Sequence, residues 1–156
     1  MIKRGISLLL SWHHVPIKIL IDNLSIIINN EFNIPVHYDE HKGNQSFLLT
    51  PESDSLISHL TSGIHRDYEV NISYQLKTGG QYTKNNFKQV SNTMERLKRL
   101  VFSNISYSNG DDWFDAGISN ISYERDEEDQ SISRAIISFQ CNVNEVISWS
   151  LNMLKD

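Results

Sequence analysis

His37 and His41 lie four positions apart, a spacing at which two imidazoles can bind one zinc ion when both stand on a helix. The Ile34-Pro35 pair and Gly43 around them instead predict a strand that runs into a loop. On a strand, this spacing does not bring two rings to one ion, and no cysteine or carboxylate completes a ligand set. We therefore interpret both histidines as exposed loop residues and expect no zinc site.

A group of carboxylates, Asp111, Asp112 and Asp115, stands beside Gly110 and Gly117, a composition that suggests calcium. An EF-hand loop needs oxygen ligands at alternate positions and a distant bidentate glutamate. The spacing here does not match that register, so an ordinary acidic turn is the simpler interpretation. We expect the chain to need no metal and no other cofactor.

The sequence carries no signature of a catalytic site. It contains no phosphate-binding loop, no Gly-x-Gly-x-x-Gly, no His-Glu-x-x-His and no Gly-x-Ser-x-Gly. The lone cysteine, Cys141, stands in an alternating apolar run, where a buried and unreactive thiol is expected. We therefore predict that the chain is not an enzyme. The alternative is a small α+β enzyme whose site is built from His59, His65 and Asp67.

The composition is that of one globular domain, residues 1–156. A length of 156 residues suffices for one core but not for two, and 39% hydrophobic and 21% charged residues are typical of a globular chain. The formal net charge of -5 argues against a general nucleic-acid binder, which needs a basic face to displace counterions from phosphates. No stretch approaches the roughly 20 apolar residues of a membrane span, so we expect no membrane partner.

Apolar spacing in the first half of the chain predicts a helix that begins at Pro16, a short strand at 34–38 and a long loop at 39–66. Strict alternation then predicts a strand at 68–76 with one buried face. That face consists of Tyr68, Val70, Ile72, Tyr74 and Leu76.

The second half predicts a helix at 85–102, paired strands at 118–124 and 131–143, and a last helix capped by Asn144. The whole order is helix, strand, loop, strand, helix, strand, strand, helix. It predicts an α+β fold in which an antiparallel sheet is covered by helices on one face.

Charge is concentrated in two segments of opposite sign. The helix at 85–102, with Lys84 before it, carries five basic residues and one acidic residue. A solvated helix with cations near its C-terminal end is the simplest interpretation, and contact with an acidic partner is the alternative. The second segment is an acidic strand connection, either a solubilising tip or a surface facing a DNA channel or a neighbour. Its carboxylates are Glu124, Asp126, Glu127, Glu128 and Asp129.

Two apolar segments exceed what a small core needs, and we predict that they form subunit or partner interfaces. One lies in the predicted loop and the other in the predicted last helix. Their residues are Phe47, Leu48 and Leu49, and Trp149, Met153 and Leu154.

Four features together resemble the tail terminator, or tail completion, proteins of long-tailed bacteriophages. They are the first helix with the segment 34–40, the long loop, the strand at 68–74, and the helix at 85–102 with the paired strands that end at 134–143. The resemblance covers residues 15–143 and implies a single tail-terminator-like α+β domain.

The resemblance also implies a function without catalytic residues. It implies a ring, commonly of six subunits, that caps the tail tube, ends its polymerisation and joins the tail to the head or neck. The implied partners are further copies of the chain, the tube protein and the neck proteins, while DNA passes without specific binding. The implied location is the virion, after assembly in the host cytoplasm.

Three other classes of protein stay open at this point. A head-completion, neck or other minor virion protein has a similar size and charge. A small α+β enzyme and a bacterial adaptor or immunity-type binding protein are the alternatives from other classes.

Overall fold

The computed structural model describes residues 16–61, 63–78, 84–129 and 131–146. Its elements combine helices with one sheet, which confirms the predicted α+β class. In chain order they are α1 (Pro16–Phe32), β1 (Val36–His37), β2 (Gln45–Leu60), β3 (Gly63–Lys77), α2 (Lys84–Ser103), a 3-10 turn (Ser108–Gly110), β4 (Phe114–Arg125) and β5 (Ile132–Val146). Within these ranges, neither helix is long and apolar enough to cross a membrane.

Helix α1 forms where apolar side chains recur at helical spacing behind a proline. Pro16 begins the helix, where its missing N–H costs little. Leu20, Leu24 and Ile28 form one fully buried stripe. Asn33 ends the helix in a left-handed conformation with φ of 52°, which permits a sharp change of direction before β1.

The five strands form one sheet in the order β1-β2-β3-β5-β4. Strand β1 pairs with β2 in parallel, whereas the three other strand pairs are antiparallel. The sheet is therefore mixed, which corrects the prediction of a purely antiparallel sheet. The parallel pair is short, with Val36 opposite Phe47 and His37 opposite Leu48. It follows Pro35, which cannot donate a hydrogen bond and so restricts where β1 can begin.

A single core contains one face of the sheet and the buried stripes of both helices. The alternation predicted for 68–76 is confirmed, since Tyr68, Val70, Ile72, Tyr74 and Leu76 are all buried. Strand β5 contributes Ala135, Ile137, Phe139, Cys141 and Val143 to the same cluster, and α2 contributes Val90, Met94, Leu97 and Val101.

Among the described residues, Trp113 is the largest fully buried side chain, and it packs at the edge of the core beside the turn that follows α2. Its ring stacks on Tyr107 with centroids 4.5 Å apart and meets Phe139 edge-on at 5.8 Å. Its indole N–H donates to the Asn104 carbonyl at 2.8 Å. Asn109 and Gly110 lie in this turn, and both have positive φ.

The prediction of a long loop at 39–66 is wrong. Residues Gln45–Leu60 form β2, and β3 already begins at Gly63, so the two strands form one long hairpin. The sequence of residues 51–60 shows no alternation of apolar and polar residues, because both faces of the strand are exposed there. Neither face therefore requires apolar side chains. Two irregularities in pairing, between Pro51 and Ser53 and between Leu56 and Ser58, disturb the period further.

The predicted start of the last helix is also wrong. Asn144 and Glu145 belong to β5, which continues to Val146 and pairs with β3 as far as Gly63. The additional length of β3 supplies a strand partner at this point, and pairing with it outweighs the local capping preference of Asn144. The rest of the predicted helix, residues 147–156, lies outside the described residues.

Candidate functional site

We call the outer half of the β2–β3 hairpin, residues 51–61 and 63–67, the arm. Every residue of β2 from Pro51 to Leu60 is exposed. Within this Ser- and Asp-rich stretch stand three large apolar side chains, Leu56, Ile57 and Leu60, with 48%, 54% and 45% of their surface exposed. Large apolar side chains grouped on an extended structure are typical of a contact surface.

Cross-strand contacts hold the arm in place. The Arg66 guanidinium donates to the Asp54 carboxylate at 2.8 Å, across the β2–β3 pair. On the other side of β3, Arg66 lies 3.7 Å from the Glu145 carboxylate, which also accepts the Tyr68 hydroxyl. Burial, and then the hydrogen bond to Glu145, raise the pKa of Tyr68. These contacts join three strands, so the arm presents its apolar residues from a braced support.

A cleft of about 290 Å³ lies between the first turns of α2, the end of β4 and the beginning of β5; we call it the α2 cleft. Phe87 and Tyr123 form its walls, with ring centroids 6.3 Å apart and about half of each side chain exposed. Val90 and Ser133 are buried in its lining. The Ser133 hydroxyl is buried without a hydrogen-bond partner among the described residues. Glu124, Arg125 and Arg134 complete the lining, so the cleft is open and combines apolar walls with charged groups.

A wider and more polar depression lies between the end of α1 and the middle of α2. Arg96 crosses it, donating to the Glu31 carboxylate at 3.0 Å and to the Glu31 carbonyl at 2.8 Å. The guanidinium also lies 4.6 Å from the centre of the Phe32 ring. These contacts join α1 to α2, which gives Arg96 a structural role.

The predicted interface residues divide into three groups. Phe47 and Leu49 are fully buried in the subunit's own core, because alternation in β2 turns both toward the helices. Leu48, between them, is partly exposed on the opposite face. Trp149, Met153 and Leu154 lie outside the described residues. Within the first segment, therefore, only Leu48 retains the exposure that a partner contact requires.

The acidic connection between β4 and β5 contains two kinds of carboxylate. Asp126 accepts the backbone N–H groups of Glu128 and Asp129, both at 3.0 Å, and these bonds lower its pKa. Asp129 accepts from Ser131, which lowers its pKa in the same way. Glu124, Glu127 and Glu128 are exposed. Two aspartates therefore build the turn, and three glutamates give its surface a negative charge.

His41 does not lie free in a loop as predicted. Its ring stands between two hydroxyl groups, with Nδ1 2.7 Å from Ser46 Oγ and Nε2 2.8 Å from Ser73 Oγ. Burial of the ring, reinforced by the positive charge of Arg134, lowers the pKa of His41 to about 4. Both ring nitrogens are engaged, so this histidine covers the polar face of the sheet.

The three residues considered for a catalytic site do not lie on one face. His65 and Asp67 project from one face of β3, whereas His59 pairs with Ile64 and so faces the opposite side. Asp112 accepts from Asn23 at 2.8 Å and from Ser108 at 3.0 Å, which ties the acidic turn to α1. Across the described ranges, no three His, Cys, Asp or Glu side chains are grouped to hold a metal ion.

Cys141 is buried in β5, as its alternating pattern predicts. Burial, followed by the negative charge of Asp67, raises the pKa of its thiol to about 12. At neutral pH the group is a thiol, which is a poor nucleophile.

Comparison with known proteins gives a similarity in fold. No protein-family model matches the chain, and no curated protein matches it. Among 26 matching chains of solved structures is one from the virion of the native gene transfer agent (GTA) particle. That chain is 15% identical, with a TM-score of 0.50, and the match covers 83% of this chain and 92% of that one. The shared fold spans nearly the whole of the virion chain.

Proposed function

We propose that this chain is a structural subunit of a phage-like virion. The observation that carries the proposal is the shared fold with a chain of the GTA virion, which covers most of both proteins. Three of the four features behind the resemblance to tail terminators, all but the long loop at 39–66, have counterparts in the observed order of elements, and they support the same class. Within that class, the subunit forms a ring of six that caps the tail tube, ends its polymerisation and joins the tail to the head or neck.

The surface of the subunit fits this function. An arm with exposed apolar residues and a cleft with exposed aromatic rings are features of a protein that binds other proteins. The net charge of -5 suits a ring through which DNA must pass without being held. The separation of His59 from His65 and Asp67 gives no support to the alternative of a small enzyme.

Deletion of the gene, followed by electron microscopy of the resulting particles, tests the proposal. Loss of a terminator gives separate heads and tails, with tails of abnormal length. Separate heads with tails of normal length would identify a head-completion or neck protein instead. Normal virions from the deletion strain would refute a structural role.

A second experiment tests whether six subunits form a ring. Native mass spectrometry and negative-stain microscopy of the purified protein should give six copies around a central channel. Replacing Trp149 with Glu should weaken this assembly and leave the monomer folded, if the C-terminal apolar residues contact a neighbour. A wild-type protein that remains a monomer at every concentration would exclude self-assembly of the free subunit.

A further inference from the structure

We infer that the C-terminal segment, residues 147–156, packs on the exposed apolar residues of the arm of its own chain. The inference concerns the single subunit, so it goes beyond the proposed function and does not rest on it. It combines three observations: the apolar residues of the arm, the point at which β5 ends, and the composition of the residues that follow.

The arm offers an apolar contact surface within a polar stretch of strand. Leu56, Ile57 and Leu60 are each about half exposed, and the residues around them on β2 are exposed as well. Those surrounding residues are Ser, Asp and His, so the three apolar side chains stand out from them. Covering these side chains with other apolar groups is favourable, because it removes apolar area from water.

Strand β5 ends beside this surface. Gly63 pairs with Leu60 on one side and with Val146 on the other. Neighbouring strands lie ~4.8 Å apart, so roughly 10 Å separates the end of β5 from Leu60. Residues 147–156, at ~3.3 Å each, can extend over as much as roughly 33 Å. The segment can therefore reach each of the three apolar residues of the arm.

Side-chain contacts fix the end of β5 to the arm. Glu145 accepts the Tyr68 hydroxyl and lies 3.7 Å from the Arg66 guanidinium. Arg66 in turn donates to Asp54 at 2.8 Å, on the strand that carries the apolar residues. The point from which the segment departs and the surface that it contacts thus keep one relative position. This arrangement lowers the entropy that docking costs.

The segment has the composition that an apolar surface selects. Its charged residues, Lys155 and Asp156, stand together at its far end and have opposite signs. Apolar contact, and not charge, therefore favours this occupant. Half of the segment is apolar: Ile147, Trp149, Leu151, Met153 and Leu154.

Covalent connection favours the chain's own arm over the arm of a second copy. A segment joined to its binding surface by a short linker has an effective concentration in the millimolar range. At micromolar protein concentration, this is an advantage of about a thousandfold over the same segment on another copy. The contact within one chain therefore forms first.

A pair of cysteines tests the inference in the full-length protein. Ser58→Cys places one thiol on the arm and Ser150→Cys places the other in the segment, and both changes keep every apolar residue. Cys141 is buried and does not compete. Under mild oxidation, the disulfide should close within one chain at a rate that is independent of protein concentration. Intact-mass measurement and non-reducing electrophoresis follow this reaction.

Matched substitutions in the two-cysteine protein separate docking from simple tethering. Ile57→Glu should slow closure of the disulfide about tenfold or more, because a charged group disfavours an apolar contact. Ile26→Glu places the same charge on α1 at an equally exposed position, 51% against 54%, and should leave the rate unchanged. Leu56→Glu is a second arm variant and should act as Ile57→Glu does. Circular dichroism should show that the variants remain folded.

Two results would overturn the inference. Closure at the same rate with and without the arm substitutions would show that the tether alone brings the thiols together. A disulfide that forms mainly between two copies would assign the segment to a neighbour. Either result leaves the proposed function standing, because the particles of the deletion strain test it separately.

Discussion

Acidification from about pH 7 to pH 5 should destabilise the domain through His41. The folded protein holds the pKa of this ring at about 4, below its ordinary value of 6.5. The unfolded chain therefore binds a proton first, and stability that is complete above 6.5 is lost as the pH falls toward 4. The positive charge of Arg134 also repels a protonated His41 ring in the folded protein.

The magnitude follows from that difference in pKa. Without solvent screening, the difference between a pKa of 6.5 and one of about 4 would lower the free energy of unfolding by about 2 kcal/mol between pH 7 and pH 5. The ring is partly exposed, so we expect solvent screening to reduce the effect to about 1 kcal/mol. For a domain of this size, that corresponds to a fall of about 2–4 °C in Tm.

Urea denaturation at several pH values provides the assay, with His41→Gln as the test and the exposed His59→Gln as the control. Wild type and His59→Gln should lose the same stability on acidification, and His41→Gln should lose less. Asp126 and Asp129, whose pKa values are lowered, stay ionised over this range. An equal pH dependence in His41→Gln and wild type would refute the role given to His41.

Three further predictions concern the core. Ile72→Asp places an unpaired charge at the fully buried centre of β3 and should cost several kcal/mol, so a folded variant with an unchanged Tm would contradict this position. Trp113→Ala should cost about 3–5 kcal/mol in urea denaturation, whereas Trp113→Phe keeps an aromatic ring and should cost less than half as much. Cys141 should resist alkylation at neutral pH in the native protein and react once denatured, and fast native labelling would show that the strand opens.

Elements with one buried face were predictable from the sequence, because burial imposes a period on residue type. Strand β3 around Ile72 and helix α2 around Met94 are the clearest cases, and both are confirmed. The arm was not predictable in the same way, since a strand exposed on both faces needs no apolar period. Asn144 was assigned to a helix because its local preference is visible in the sequence, whereas its pairing with His65 is not.

The candidate site was predictable only in part. Leu56, Ile57 and Leu60 carry a signal that was available, as isolated large apolar residues within a run of Ser, Asp and His. Phe47 and Leu49 stand in a more apolar run, yet they belong to the core. The sequence alone does not distinguish an apolar residue of the core from one on the surface. The α2 cleft brings Phe87 to Tyr123 across 36 positions of sequence, so only the packing of α2 against β4 reveals it.

The outer edge of β2 bears on how readily the free chain aggregates. Among the described strands, β1 covers this edge only at Phe47 and Leu48, so the backbone beyond them is open to pairing with another chain. Pro51 offers no N–H there, and irregular pairing at two places bends the strand. Uncontrolled strand addition, the usual route from an open edge to aggregates, is thereby hindered. For the virion subunit that we propose, recognition by a neighbour would then depend on side chains and not on the open backbone of β2.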